Sequence, residues 1–197
     1  MDPTQLTTAD GHVLEADLVE PDGPVRGAAV VCHPHPLHGG NRHNSVVDSV
    51  FRALPATGFR ALRFDFRAEH GGGVAETADV VAAIDALAGA PIEREPLFVV
   101  GYSFGAAVAL RTVDPRIRAV VAIAPPLATM PVDPPSVPVL VLTPRHDQYC
   151  PPDVAEPIVA SWPDAEIDIV EAADHFLAGH TAAVARHAVA WLSSLRQ

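Results

Sequence analysis

The stretch Leu97-Phe98-Val99-Val100-Gly101-Tyr102-Ser103-Phe104-Gly105 decides how the rest of the chain is interpreted. It begins as an apolar run of strand length, passes through Gly-x-Ser-x-Gly, and continues with apolar residues at helical spacing. A serine at such a tight strand-to-helix turn has an exposed hydroxyl, and the flanking glycines let neighbouring segments approach closely. An ordinary glycine-rich turn is the alternative. A histidine and an aspartate further along the chain, in positions that suit a catalytic base and acid, favour Ser103 as a nucleophile.

Apolar runs of strand length alternate with stretches of helical period along the chain, which predicts an α/β fold: a mostly parallel twisted sheet with helices on both faces. The predicted strands are His12–Val19, Ala28–His33, Arg60–Phe66, Pro96–Tyr102, Arg118–Ala124, Val137–Thr143 and Ala165–Val170. The predicted helices are Asn44–Leu54, Val74–Leu87, Phe104–Val113, Asp153–Ser161 and Thr181–Leu195. The length of 197 residues suits one domain, 1–197. The segment Pro125–Pro138 is the only candidate cover for a site, so no large lid is expected.

Charge and composition exclude several classes of function. The formal net charge of −11 disfavours binding to nucleic acids and to anionic membrane surfaces, which require clusters of Lys and Arg. All apolar runs are far shorter than the roughly 20 residues that span a bilayer. The polar start Met1-Asp2-Pro3-Thr4-Gln5 does not resemble a secretory signal, so a cytoplasmic location is expected. Cys32 and Cys150 are expected to be reduced thiols.

A serine hydroxyl is a weak nucleophile, so a base must accept its proton and a third group should orient that base. Of the ten histidines, His175 follows the last predicted strand and precedes the terminal helix, where a loop can return it to Ser103. The acid should lie between the serine and the histidine in chain order, after another strand. Asp147 meets this condition and is preferred. Asp174 is the main rival, although its position beside His175 better suits a capping role.

Acyl transfer also requires two donors for the developing oxyanion, and backbone N–H groups are the expected source. Phe104 follows the nucleophile and supplies the first. The second is assigned to His35, because the prolines on both sides of it have no N–H. A zinc site is the alternative role for this loop, but loop architecture is preferred for its histidines, His33, His35, His38 and His43. Asp65 and Arg67 are expected to pair with each other and brace the site, or to form a simple surface pair.

Taken together, these segments resemble the α/β-hydrolase superfamily, and within it the small lidless bacterial members related to dienelactone hydrolases. The resemblance covers nearly the whole chain and rests on Gly101–Gly105, the acid loop at Asp147, Asp174-His175-Phe176, Arg63–Arg67 and His33-Pro34-His35-Pro36. Three differences limit what it implies. Where many members have His-Gly before the oxyanion residue, this chain has His33-Pro34, which makes the loop stiffer. The usual Gly-x-Gly-x-Ser after Arg67 is replaced by Ala68-Glu69-His70-Gly71-Gly72, and the nucleophile is serine where true dienelactone hydrolases have cysteine.

The sequence therefore predicts a serine hydrolase that cleaves small esters or related acyl compounds through an acyl-Ser103 intermediate. Neither a cofactor nor a metal is expected, and the expected partner is a small-molecule acyl substrate. A non-catalytic ligand-binding or sensor module with the same fold is the alternative. The oligomeric state stays open. So does the division between core and pocket among the apolar residues near the site: Leu37, Tyr102, Phe104, Leu127, Met130, Tyr149 and Phe176.

Overall fold

Strands and helices alternate through residues 2–88 and 95–195, the part of the chain that the computed structural model describes. Its strands are β1 Asp2–Thr7, β2 Val13–Val19, β3 Gly27–Cys32, β4 Phe59–Phe64, β5 Leu97–Tyr102, β6 Ile117–Ile123, β7 Val139–His146 and β8 Ala165–Asp174. Its α-helices are α1 Ser45–Ala53, α2 Thr77–Ala88, α3 Phe104–Arg111, α4 Pro152–Val159 and α5 Thr181–Ser194. Short 3-10 helices lie at Pro36–His38 and Pro55–Thr57.

The strands form one sheet in the order β1-β2-β4-β3-β5-β6-β7-β8. The pairs β1–β2 and β2–β4 are antiparallel, and every pair from β4 across to β8 is parallel. Strands β3 and β5 are buried along their whole length, as expected for strands covered on both faces. The carboxyl ends of the parallel strands meet at one edge of the sheet, which is where α/β proteins place their sites.

Helices cover both faces of the sheet, which confirms the predicted fold class. Helices α1 and α5 pack with one set of buried side chains, and α2, α3 and α4 pack with a second set on the opposite face. The start of α1 shows why the sequence folds this way locally: the side chain of Asn44 accepts a hydrogen bond from Val46 N–H at 3.0 Å and caps the helix.

Within the described ranges, no helix combines the length and apolar character that crossing a membrane requires.

The link between β6 and β7 does not form a lid. It is the longest connection without an α-helix among the described residues, and its Leu127 is buried in the core while Met130 packs against the same core. These two candidate pocket residues therefore belong mainly to the protein interior. The carboxyl edge of the sheet consequently has no separate covering domain in the described part of the chain.

The strand β1 was not predicted from the sequence. Leu6 is its only buried side chain, so the segment lacks the alternating apolar pattern by which a strand is usually found. It forms because its backbone groups complete an antiparallel ladder with β2, from Asp2–Leu18 to Thr7–Val13. Backbone pairing with the next strand of the chain, and not an apolar pattern of its own, determines this strand.

The expected local pair between Asp65 and Arg67 is wrong. Arg67 is buried, and its guanidinium donates to Asp79 at 2.7 Å and to Asp10 at 2.8 Å. The side chain of Asp65 binds the guanidinium of Arg42 and also accepts from the N–H of Arg42 at 2.7 Å. Both residues are thus paired with groups from other segments. Asp79 is fully buried beside Arg67, so removing Arg67 would leave an uncompensated buried charge on Asp79, which typically costs about 3–5 kcal/mol.

Candidate active site

Ser103 occupies a strained turn between β5 and α3. Its φ of 54° lies in the left-handed region, and its N–H donates to Ile123 O on the adjacent strand at 2.8 Å. The two glycines of the motif are needed for close packing: a Cβ at Gly101 would lie 2.3 Å from Gly105 O, and a Cβ at Gly105 would lie 2.5 Å from His33 O. The turn therefore holds the serine side chain at the carboxyl edge of the sheet.

Three predicted side chains meet at this edge in a continuous hydrogen-bonded chain. Ser103 Oγ lies 2.9 Å from His175 Nε2, to which it can donate, and His175 Nδ1 donates to Asp147 Oδ2 at 2.8 Å. Ser103 follows β5, Asp147 follows β7 and His175 follows β8, so three strands that run in the same direction deliver the three groups. His175 and Asp147 are both buried. This arrangement can activate a serine hydroxyl by removing its proton.

The structure brings Asp147, and not Asp174, to the histidine. Besides its bond to His175, the Asp147 carboxylate accepts N–H groups from Tyr149 at 2.8 Å and Cys150 at 3.1 Å. These contacts hold the carboxylate in one orientation. Asp174 is exposed, and its Oδ1 accepts the N–H of Phe176 at 3.0 Å. Asp174 thus caps the turn that carries the histidine.

Strands β7 and β8 are longer than the sequence predicts, and their extra residues position the acid and the base. The predicted ends were Thr143 and Val170, because proline and charged residues follow them. In the structure the pairing continues past a register shift near Pro144 and ends with His146 opposite Asp174. A shift is expected there, since proline has no N–H for the ladder. The extension places Asp147 and His175 directly after two paired strand ends.

Two backbone N–H groups lie near the nucleophile without a protein acceptor. Phe104 is the first residue of α3 and His35 precedes the 3-10 helix, and among the described residues neither N–H donates to a protein group. The side chains of these residues are neighbours, with ring centroids 4.8 Å apart. The two residues thus lie close together with free N–H groups, and their role as oxyanion donors stays a prediction.

His33 braces the loop that carries His35, a role that was not predicted. Its Nδ1–H donates to Pro34 O at 2.5 Å, and its Nε2 accepts the N–H of Phe66 at 2.9 Å. Burial lowers the pKa of the His33 ring and so favours the neutral form, which can donate through one nitrogen while it accepts through the other. His33 thus links the loop to the end of β4. A histidine that directly follows a fully buried strand was the available signal.

The other histidines of this region do not gather around a common point. His35 stacks on His38 with centroids 4.7 Å apart and contacts His70 at 4.4 Å. His43 lies elsewhere, with Nδ1 3.1 Å from a guanidinium nitrogen of Arg63. In residues 2–88 and 95–195 there is no group of three or more His, Cys, Asp or Glu side chains that could hold a metal ion. The contacts of these four rings are with neighbouring side chains, so the histidines act as structural parts of their loops.

Glu76, which sequence reasoning missed, organises the segment that departs from the family pattern after Arg67. Its fully buried carboxylate accepts N–H groups from Gly71 at 2.7 Å and Gly73 at 2.8 Å, and it lies 3.0 Å from Nδ1 of His70. Burial alone would raise the pKa of Glu76, but the N–H donors outweigh it and hold the pKa below its ordinary value. The loop so formed places His70 against Phe104, with centroids 5.3 Å apart.

The fold and the residues at its carboxyl edge agree with a match to a known family. Residues 29–136, more than half of the chain, match the family model described as the alpha/beta hydrolase family. The chain therefore belongs to the α/β hydrolase family.

Solved structures extend the likeness to nearly the whole chain and confirm the resemblance to small lidless members. An alpha-beta serine hydrolase homologue from Coxiella burnetii is 25% identical, with 97% of each chain covered and a TM-score of 0.85. XC6422 from Xanthomonas campestris, described as a serine hydrolase without lid, is 24% identical over 97% of this chain and 94% of its own, with a TM-score of 0.85. At that identity the second likeness shows the fold alone.

A curated relative gives a shorter match. The uncharacterized protein RP471 of Rickettsia prowazekii is 36% identical over 123 residues, which is 58% of this chain and 50% of that protein. The match thus spans half the length of the curated relative.

Proposed function

We propose that this protein is a serine hydrolase that cleaves small esters or related acyl substrates through an acyl-serine intermediate. The observation that carries the proposal is the chain of contacts Ser103–His175–Asp147, at 2.9 and 2.8 Å. Both distances are within hydrogen-bond reach, which is the geometric requirement for a nucleophile and its base. The family supports hydrolase chemistry in general, and the residues at the strand ends support the specific mechanism.

In the proposed mechanism, Ser103 Oγ attacks the acyl carbon while His175 Nε2 accepts its proton. The carbonyl oxygen becomes an oxyanion and receives hydrogen bonds from the N–H groups of Phe104 and His35. The bond to the leaving group then breaks, and His175 returns the proton to the leaving oxygen. Water attacks the acyl-Ser103 carbonyl with His175 again as base, and Ser103 regains its proton. Asp147 stabilises the charged form of His175 in both halves of the reaction.

Each proton and electron pair in this cycle is handled by side chains or backbone groups of the protein. The proposed reaction therefore requires no cofactor and no metal. Esters are the favoured substrates. Thioesters and small amides react by the same acyl-transfer chemistry, and the fold does not distinguish among the three classes. The buried free thiols Cys32 and Cys150 fit a reducing compartment such as the cytoplasm, which is the location we propose.

A fluorophosphonate probe tests the proposed function against a non-catalytic ligand-binding module. We expect rapid, stoichiometric labelling of the wild-type protein at Ser103, because the probe requires an activated serine, and no labelling of Ser103→Ala. Ser136→Ala is the matched control, since Ser136 is exposed on the β6–β7 link outside the hydrogen-bonded chain, and it should label normally. The measurement is intact-mass spectrometry with peptide mapping. Absence of labelling in folded wild-type protein would favour the binding module.

His35→Pro tests the second oxyanion donor. The φ of His35 is −54°, which a proline can adopt, so the substitution removes the N–H with little change in that angle. We expect kcat on an activated ester to fall by about 10²- to 10³-fold relative to His35→Ala, because one oxyanion contact is lost.

His35→Ala is the matched control because it keeps the N–H but removes the ring, which otherwise stacks on His38 and accepts from Leu37 N–H. Circular dichroism should show that both variants are folded. Equal loss of kcat in the two folded variants would contradict the assignment, since the side chain would then be the group that matters.

A further inference from the structure

Two aromatic side chains stand in solvent beside the proposed catalytic histidine. Tyr149 is 48% exposed and Phe176 is 58% exposed, and within the described residues they are the only exposed Phe, Tyr or Trp side chains. Both contact the same ring: the centroids of Tyr149 and His175 are 4.5 Å apart, and those of Phe176 and His175 are 5.8 Å apart. Every other described aromatic residue is buried or half-buried. Exposed aromatic surface is therefore concentrated at one place on the molecule.

The backbone keeps Phe176 exposed although its neighbours are buried. His175 and Leu177 are both buried, and Leu177 N–H donates to Asp174 O at 3.1 Å to close a tight turn. Leu177 has a φ of 56°, in the left-handed region that a leucine rarely occupies. The turn thus anchors the residues on either side of Phe176 while its ring lies outside the core. Exposed apolar side chains that adjoin one another can form part of a binding surface, and these two rings meet at His175.

The chemistry of acyl transfer indicates what would occupy this surface. The leaving oxygen must come within hydrogen-bond reach of His175 Nε2 to receive its proton, so the group attached to that oxygen lies beside the imidazole. The acyl oxygen, in contrast, points to the N–H groups of Phe104 and His35. The rings of Tyr149 and Phe176 therefore lie on the side of the leaving group.

We propose that Tyr149 and Phe176 bind the leaving group and give the enzyme a preference for esters of aromatic alcohols. The inference rests on the proposed function. An aromatic leaving group can pack against the two rings by edge-to-face or offset contacts, whereas a saturated ring of similar size lacks the quadrupole that favours them. When the acyl C–O bond breaks, the oxygen keeps the electron pair and takes the proton from His175, and the neutral alcohol departs from the aromatic surface.

The side chains can be tested apart from their backbones. The N–H of Tyr149 holds Asp147, and the N–H of Phe176 is capped by Asp174, so alanine at either position keeps these hydrogen bonds. Tyr149→Phe and Phe176→Tyr are the matched conservative variants, because each keeps the aromatic ring. Val113→Ala is a further control, since Val113 is 90% exposed and lies just beyond the C-terminal end of α3.

The experiment compares kcat/KM for benzyl and cyclohexylmethyl butanoate. The two esters share one acyl group and have primary alcohols with six-membered rings, so their kcat/KM ratio reports aromatic recognition. We expect the wild-type protein to favour the benzyl ester and the double variant Tyr149→Ala/Phe176→Ala to lower that ratio by about tenfold. The conservative variants and Val113→Ala should retain the wild-type ratio.

The outcomes separate this proposal from the proposed function. An equal fall in kcat/KM for both esters would mean that the rings only shield His175, and it would overturn the leaving-group assignment. Equal kcat/KM values for the two esters in a wild-type protein that labels with fluorophosphonate would overturn this assignment alone. A folded wild-type protein with neither labelling nor turnover would overturn the proposed function, and this inference with it.

Discussion

Ser103→Ala is expected to lower kcat on an activated ester by at least about 10³-fold while the protein remains folded. The substitution removes the attacking oxygen and with it the covalent route, so only the donors and the binding surface remain to assist water. The fold should tolerate alanine, because serine and alanine both carry a Cβ and meet the same strain at the φ of 54°. The measurement is steady-state hydrolysis of a chromogenic ester after the melting temperature has been compared with that of the wild-type protein.

Ser136→Ala, the control used for labelling, should hydrolyse the ester at the wild-type rate. Turnover by Ser103→Ala within a few-fold of wild type would show that the contact between Ser103 and His175 is not the source of activity. Contaminating esterase would be revealed by residual activity that does not scale with the amount of folded protein.

Asp147→Asn is expected to lower kcat by several orders of magnitude near neutral pH. In a Ser-His-Asp triad the same type of change costs about 10⁴-fold. An asparagine at this position can still accept the N–H groups of Tyr149 and Cys150 through its oxygen, which directs its NH₂ group toward His175 Nδ1. The ring would then carry its proton on Nε2, where it faces Ser103 and cannot accept the serine proton.

Asp174→Asn is the matched comparison, because it changes the residue beside His175 by the same atoms. The new side chain can still accept the N–H of Phe176, so the turn is retained and we expect a far smaller loss of kcat. Both variants are measured with one ester after their folding has been checked. A larger loss for Asp174→Asn than for Asp147→Asn would show that the acid has been assigned to the wrong loop.

The strand-to-helix turn at Ser103 could be recognised from the sequence because its signals are local. A buried strand, two glycines and the start of a helix lie within nine residues, and each reports a conformation that the chain adopts there. Chain order then selected His175 from ten histidines, because parallel strands bring their carboxyl ends to one edge. The predicted helices and seven of the strands were found for the same reason, although β7 and β8 extend further than their local pattern suggested.

Tertiary structure decided the features that depend on partners distant in the chain. Arg67 pairs with Asp10, 57 residues away, and no local pattern reports such a contact. The brace at His33 and the choice between Asp147 and Asp174 as the contact of His175 also follow from long-range packing. The exposure of Tyr149 and Phe176 is likewise decided by tertiary structure. An aromatic residue in a sequence is normally assigned to the core, and only the path of the surrounding backbone determines that these two rings stay in solvent.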